Sequence, residues 1–270
     1  MIRNATRADL PRIIELFGKS NDAPYDLAKV ADEKCFGAGV SGEPNVAVFG
    51  DFAGIAVTSG KSLRILAVDR TQRWRGVGSA LLRDSVSRGA RIVAAEAGNY
   101  FTPGVVTTDT PSIDFFTKRG FRETARTYNL VAELGVGTGE SGGERVSSAS
   151  RDRVLTFIEK EFGRIWRFEA ANAGNNLFFV EVDGAIAGFA AHDANNRGLG
   201  FFGPTGVARA HRGRGLGAAL LRASLADLHR LGYERAIIPW TDALDFYRKA
   251  CGATVAAQFV TLTRDVDSAP

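Results

Sequence analysis

Eleven of the 18 residues from Val68 to Ser85 recur, without a gap, 139 positions later between Val207 and Ser224. Both copies read Val-x-Arg-x-x-Arg-x-Arg-Gly-x-Gly-x-Ala-Leu-Leu-Arg. Chance does not produce such a match, and a repeat at this spacing means that one structural unit is used twice. The length of 270 residues agrees, since it suits two ordinary domains better than one. Between the copies, residues 133–152 lose hydrophobic periodicity and crowd glycine with serine (Gly135, Gly137, Gly139, Gly142, Gly143). A structureless loop of that length is uncommon inside a compact domain, so the stretch reads as a connector. The expected organisation is a first domain over 1–132, a linker over 133–152 and a second domain over 153–270.

Periodicity places strands and helices in a similar order in each half. The first half predicts a strand at 2–4, then a helix near 8–18 with Asp9 at its start and Pro11 in its first turn. Strands follow at 46–49, 54–58 and 63–68, then a helix beginning at 76–78 that carries Ala80, Leu81 and Leu82 inward. A buried strand over 91–96, a helix over 112–119 and a strand over 126–132 complete it. The second half predicts one helix over 154–170 and a hairpin of 177–182 and 185–192 around Asp183-Gly184, a favoured tight turn. A strand at 198–207, a helix at 217–231, a strand at 235–239, a helix at 243–250 and a strand at 255–263 close the chain. The fold class expected for both halves is α/β with an α+β mixed sheet.

Composition excludes several classes of protein. Hydrophobic residues make up 45% of the chain, with 18 Phe and 3 Trp, which is ample for packed cores. A net charge of +4, without a basic stripe interleaved with aromatics, argues against nucleic acid as a partner. No apolar run approaches the ~20 residues that span a bilayer, so no membrane partner is expected. The opening MIRNATRADLPRIIELF lacks the apolar core of a secretory signal. Cys35 and Cys251 stand far apart and read as isolated thiols in a reducing, cytoplasmic setting. Together with His192, His211 and His229 they show no metal-ligand spacing, so no metal is expected.

The repeated motif places a basic, glycine-paired loop between a strand and an apolar helix. Glycines at 76 and 78, and at 215 and 217, let the backbone turn sharply and approach a ligand. The first N–H groups of the following helix lack acceptors inside it, and its dipole favours negative charge there. Arg73 and Arg75, and Arg212 and Arg214, add charge suited to a diphosphate. One such turn alone fits a plain strand–helix connection equally well; two with arginines in register point to a phosphate-bearing cofactor. Neither the P-loop pattern nor Gly-x-Gly-x-x-Gly is present, since Ser79-Ala80-Leu81 and Ala218-Ala219-Leu220 follow the paired glycines.

In these residues the chain resembles the GCN5-related N-acetyltransferase (GNAT) superfamily, whose acetyl-CoA signature is similar to Val68, Arg73, Gly76, Gly78, Ala80, Leu81 and Leu82, and again to Val207, Arg212, Gly215, Gly217, Ala219, Leu220 and Leu221. The opening 2–6 with Asp9-Leu10, the hairpin 179–189 and the segments 113–121 and 244–252 resemble other parts of the same fold. The resemblance implies two tandem domains, as in mycothiol synthase, each a central mixed, mostly antiparallel sheet flanked by helices. It further implies that loop residues Arg73, Arg75, Gly76, Val77, Gly78 and Ser79 hold the CoA diphosphate. In the second half the same role falls to Arg212, Gly213, Arg214, Gly215, Leu216, Gly217 and Ala218. The backbone near Val68 and Val207 would pair with the pantetheine arm and polarise the thioester carbonyl. Acetyl-CoA is thus the expected co-substrate and a small-molecule amine the expected partner, attacking directly without a covalent enzyme intermediate.

The halves differ where this chemistry needs a proton. The family's late-helix tyrosine, which protonates the departing thiolate, is similar to Tyr247, whereas the first half has Phe116. Tyr247 as general acid stands beside the plainer reading that it packs between helix and sheet. In the first half Glu96 is a candidate base or else a solvated strand end, and Tyr100 belongs to a Tyr-Phe-x-Pro-Gly-Val piece resembling a substrate-side loop. Asp242 holds the corresponding acceptor-side place in the second half. His192 and His211 read as surface residues, with His211 inside the basic loop. The expected function is acetyl-CoA-dependent N-acetylation of a small amine. The alternatives are an acyl-CoA-binding or sensing protein with one or both domains inactive, and a protein acetyltransferase acting on a lysine or an N-terminus.

Overall fold

The computed structural model describes residues 1–20, 24–135 and 142–265. The elements in chain order are β1 (Ile2–Asn4), α1 (Leu10–Ser20), α2 (Ala31–Phe36), β2 (Asn45–Phe49), β3 (Gly54–Ser59), β4 (Ser62–Val68), α3 (Val77–Ser87), β5 (Ile92–Val93), β6 (Val105–Val106), α4 (Thr110–Thr117) and β7 (Arg122–Glu133). There follow β8 (Glu144–Arg145), α5 (Arg151–Phe162), α6 (Arg164–Asn172), β9 (Leu177–Val182), β10 (Ala185–His192), β11 (Phe202–Val207), α7 (Leu216–Arg230), β12 (Arg235–Thr241), α8 (Leu244–Cys251) and β13 (Thr254–Thr263).

The chain forms two compact units, Met1–Thr127 with Ala257–Pro270, and Tyr128–Ala256. These bounds differ from contiguous halves. Residues 257–263 of β13 belong to the first unit, and residues 128–133 of β7 to the second. Hydrophobic alternation is local. It marks a strand but does not say which sheet edge that strand will join.

In the first unit the strands run in the order β1-β2-β3-β4-β5-β13. Every pair is antiparallel except β4 with β5. Helix α3 buries Val77, Leu81 and Leu82 against Ala47, Ala56, Leu63, Val93 and Val260. Before α1 the Thr6 amide donates to Asp9 Oδ2 (2.9 Å), the capping-box bond that starts the expected helix.

In the second unit β8, β9, β10 and β11 form an antiparallel sheet. Strand β12 pairs with β7 through Ala236 against Ala132 and Ile238 against Leu130. Helix α7 buries Leu220, Leu221, Leu225 and Leu228 in a cluster with Phe178, Val180, Ala190 and Leu130. On the other side α5 and α6 pack Val154, Leu155, Ile158 and Ala170 with Phe179 and Phe189.

Three expectations are corrected. The helix over 154–170 is two helices, because Gly163 at φ +89° and ψ 173° cannot continue the first. The strand over 91–96 stops at Val93, where Ala94 and Ala95 adopt positive φ and turn the chain away. Within the stretch 133–152, residues 136–141 lie outside the described residues. From Glu144 onward it is not a bare connector, since β8 pairs with β9 and Val146 is buried.

Leu220 is fully buried in the second unit's core. Leu220→Ala should cost about 2–5 kcal/mol, read by urea unfolding of the full chain. A smaller loss would mean that α7 does not carry that core.

Candidate cofactor and acceptor sites

The repeated motif folds into the same construction twice. In the first unit β4 ends at Val68, a 3-10 turn spans Arg70–Gln72, and α3 begins after Gly76 at φ 81° and ψ −2°. In the second, β11 ends at Val207, a 3-10 turn spans Arg209–His211, and α7 begins after Gly215 at φ 78° and ψ −4°. This left-handed geometry strains any residue with a Cβ, which is why both caps are glycine. Neither cap has a side chain to offer, and the helical ladders start only with Ala80 bonding to Gly76 (2.9 Å) and Ala219 to Gly215 (3.1 Å). The amides of Val77, Gly78 and Ser79, and of Leu216, Gly217 and Ala218, are therefore free to meet an anion.

Behind each cradle the second glycine leans on an aromatic ring. A Cβ placed on Gly78 would stand 3.5 Å from Phe115 and 3.6 Å from Val68, and one on Gly217 would stand 3.5 Å from Phe246 and 3.7 Å from Val207. The two loops nevertheless differ. Trp74, at φ 65° and 96% exposed, occupies the place of Gly213 at φ 78°. Arg73 donates to the Ser20 carbonyl at the end of α1 (3.0 Å), whereas Arg212 donates to the Val207 carbonyl (3.2 Å). Arg75 and Arg214 are exposed, and Arg214 lies 3.1 Å from Nδ1 of the half-buried His211.

Each cradle lies at the mouth of a splayed strand pair. The parallel pairing of β4 and β5 ends at Leu63 with Val93, yet β4 runs on to Val68. In the second unit a single parallel bridge, Phe201 with Ile237, links the strands before β11 runs on to Val207. Beyond these points no ladder among the described residues occupies the facing edge, leaving a slot of backbone polar groups that leads to the free helix amides.

Tyr247 lies beside this slot in the second unit. It is 7% exposed, with its ring 6.2 Å from Phe202 on β11 at 77° and 4.9 Å from Phe246 at 72°. Burial raises its pKa, so the phenol stays protonated. Among the described residues no group hydrogen-bonds its hydroxyl. The matching place in the first unit holds Phe116, packed at 5.1 Å on Phe115 and 5.5 Å on Phe121.

The region of the first unit where an acceptor is expected is closed. Glu96 is not a solvated strand end: it is 4% exposed and forms a two-point ion pair with Arg64, itself 2% exposed. Arg64 also donates to the carbonyls of Lys34 (2.8 Å) and Gly37 (2.9 Å). Gly39 lies so close that a Cβ there would meet Glu96 Oε1 at 1.9 Å. Lys34, fully buried, donates to Glu33 and to Asn99 Oδ1, both at 2.7 Å. Tyr100 and Phe101 are buried, with Phe101 edge-on to Tyr25 at 6.4 Å.

Asp242 is exposed between β12 and α8, following Trp240, whose amide donates to Asn129 Oδ1 (2.9 Å). The surface expectation for His192 is overturned. It is fully buried, stacked on Phe178, with Nε2 2.8 Å from Asp227, which also binds Arg145 and Arg230. The end of β10 lies under α7, and Asp227 supplies from that helix the partner a buried imidazole needs. Arg64, Lys34 and Asn99 were missed: Arg64 carries only the signal of a charge amid the apolar residues of β4, Lys34 is hidden in the charged run Asp32-Glu33-Lys34, and Asn99 sits in the loop before Tyr100 without a mark of its own.

The splayed strands and the glycine-capped helices define the acyl-CoA N-acyltransferase fold. A family model described as acetyltransferase (GNAT) family matches residues 147–253. Solved structures with the same fold include a GCN5-related N-acetyltransferase from Sphaerobacter thermophilus, with TM-score 0.71 and 18% identity, covering 100% of this chain and 96% of that one. A tandem GNAT protein from the clavulanic acid biosynthesis pathway gives 0.68 and 16%, covering 100% and 99%. A GCN5-related glucosamine N-acetyltransferase region of a fungal multi-domain GH3 beta-N-acetylglucosaminidase gives 0.76 and 16%; this chain covers 38% of that protein's length. Residues 147–253 thus match the acetyltransferase (GNAT) family model, and the whole chain has the fold of a solved tandem GNAT protein. No curated protein matches it. Among the described residues no cluster of His, Cys, Asp or Glu could hold a metal ion, and no helix is long and apolar enough to cross a membrane.

Two measurements probe the closed network. Removing the charge of Glu96 leaves Arg64 buried and unpaired, so Glu96→Gln should cost about 3–5 kcal/mol in denaturant unfolding. Burial lowers the Lys34 ammonium from its ordinary 10.5 to about 8, against the pull of Glu33. Between those values the unfolded chain holds more protons than the native one, so the penalty of burying Lys34 is full below pH 8 and relieved as pH rises. The parent protein should therefore gain stability relative to Lys34→Met across pH 8–10, by at most about 1.4 kcal/mol per pH unit. A difference independent of pH would refute this burial account.

Proposed function

We propose that the chain is an acetyl-CoA-dependent N-acetyltransferase that moves the acetyl group onto the primary amine of a small molecule, with the chemistry in the second unit. The observation that carries this reading is Tyr247, a buried residue whose protonated hydroxyl has no protein partner, beside an unladdered strand edge that ends in a free helix N-terminus. Leu216, Gly217 and Ala218 offer amides to the diphosphate, with charge from Arg212 and Arg214, while Gly213 and Gly215 allow the turn. The β11 backbone toward Val207 aligns the pantetheine arm. An uncharged amine attacks the thioester carbon; the C–N bond forms, the C–S bond breaks, and Tyr247 gives its proton to the sulfur. The amine's own proton leaves toward solvent on the side of Asp242.

In the first unit, Val68, Arg73, Arg75, Gly76, Val77, Gly78 and Ser79 form the matching cofactor cradle. We assign Glu96 to the buried pair with Arg64 rather than to proton transfer, and Tyr100 to packing under its loop. A first unit that binds acyl-CoA without turning it over is favoured by Phe116 and by the closed network around Glu96.

Thiol release from acetyl-CoA, followed across a panel of small amines and peptides, tests the reading. Tyr247→Phe should lower kcat by about 100-fold or more while CoA affinity changes little. An unchanged kcat would remove Tyr247 from the mechanism. Gly215→Val should abolish turnover and Gly76→Val should preserve it; the reverse pattern would place the chemistry in the first unit.

A further inference from the structure

The first cradle holds a cation that the second lacks. Arg119 follows α4, its guanidinium 3.9 Å over the Phe115 ring, and donates from Nη1 to the Phe115 carbonyl and from Nη2 to Ser79 Oγ, both at 2.8 Å. Ser79 is the third residue of α3, so its amide is one of the three without a helical acceptor. The matching residues of the second unit are Ala218 and Ala250, and Arg248 there faces Asp245 instead (3.3 Å).

The last turn of α4 favours the Arg119 cation through the Phe115 carbonyl, whereas the start of α3 opposes it. The start of a helix carries partial positive charge and repels a cation. Among the described residues no carboxylate pairs with Arg119, and Arg75 adds further charge on the same loop. Two of the five guanidinium N–H donors are used on neutral oxygens, which leaves three. Because its oxygen accepts from Arg119, the Ser79 hydroxyl proton is available to donate outward. The unmet donors and the unmet charge thus converge at one helix mouth, and a polyanion there would satisfy both.

We propose that Arg119 and Ser79 form a diphosphate grip that belongs to the first cradle alone. Stacking on Phe115 fixes the guanidinium plane, so little side-chain freedom is lost when it binds. The first cradle is then the tighter and more salt-sensitive of the two cofactor sites. It stays loaded at CoA concentrations that leave the second partly empty. This inference rests on the cofactor reading above.

Calorimetric titration of the full chain with CoA and with dephospho-CoA tests it. Trp74, almost fully exposed on the same loop, reports the first cradle by its emission once Trp166 and Trp240 are changed to Phe. Arg119→Ala should weaken binding at the site Trp74 reports by about tenfold, equally for both ligands, and flatten its salt dependence. Ser79→Ala should weaken it by about threefold. Arg119→Lys should keep the salt dependence and lose part of the affinity. The second site should keep its affinity throughout. Unchanged affinity and salt dependence in both Arg119→Ala and Ser79→Ala would overturn the inference, as would a loss confined to the site Trp74 does not report. A loss seen with CoA but not with dephospho-CoA would also overturn it, by moving the contact off the diphosphate. CoA binding at neither site would overturn the cofactor reading beneath it.

Discussion

The structure depends on an unmet need built into the backbone. A helix that begins after a glycine in the left-handed region, with no side chain to cap it, points several N–H groups at nothing. In this chain that beginning occurs twice, after Gly76 and after Gly215, each time at the end of a strand that has already left its parallel neighbour. The helix cannot be lifted off the sheet to relieve those groups, because Leu81 and Leu82, or Leu220 and Leu221, are buried beneath it. The free amides are therefore held in place by the hydrophobic cores, and the fold keeps two sets of unsatisfied helix N–H groups open.

Around this shared device the two units have diverged in what lies beside the slot. The second presents a phenol, Tyr247, where the first presents Phe116. The first holds Arg64, Glu96, Lys34 and Asn99 in one buried network, in which each polar group answers another. Such networks stabilise only when complete, and a complete one leaves no donor or acceptor over for a substrate. The two units thus differ by one phenol, by one closed network and by the Arg119–Ser79 contact at the first helix mouth.

Much of this was legible before any coordinates. The repeat fixed the register of both cradles, and the paired glycines marked turns whose left-handed caps, Gly76 and Gly215, favour glycine. Tyr247 against Phe116 was visible by simple alignment. What escaped the sequence depends on long-range neighbours. Gly163 breaks a helix that composition alone would continue, and Ala94 and Ala95 turn the chain although alanine carries no turn signal. His192 is fully buried because α7 brings Asp227 to it from 35 residues further along the chain. The partner of Glu96 lies 32 residues away in an apolar strand where a charge is unexpected.

The passage of β13 into the first unit bears on how the polypeptide acquires its shape. The strand that pairs with Val93 and Val106 is drawn from residues 259–262, made only after all of the second unit. During synthesis from the N-terminus, the first sheet must wait with an open edge while more than a hundred further residues emerge, a long-range closure of the sort that slows folding. An unpaired edge is also where strangers pair. Nascent chains stalled before this last strand are thus the species most exposed to misassembly, and the ribosome releases a finished first unit only together with the second.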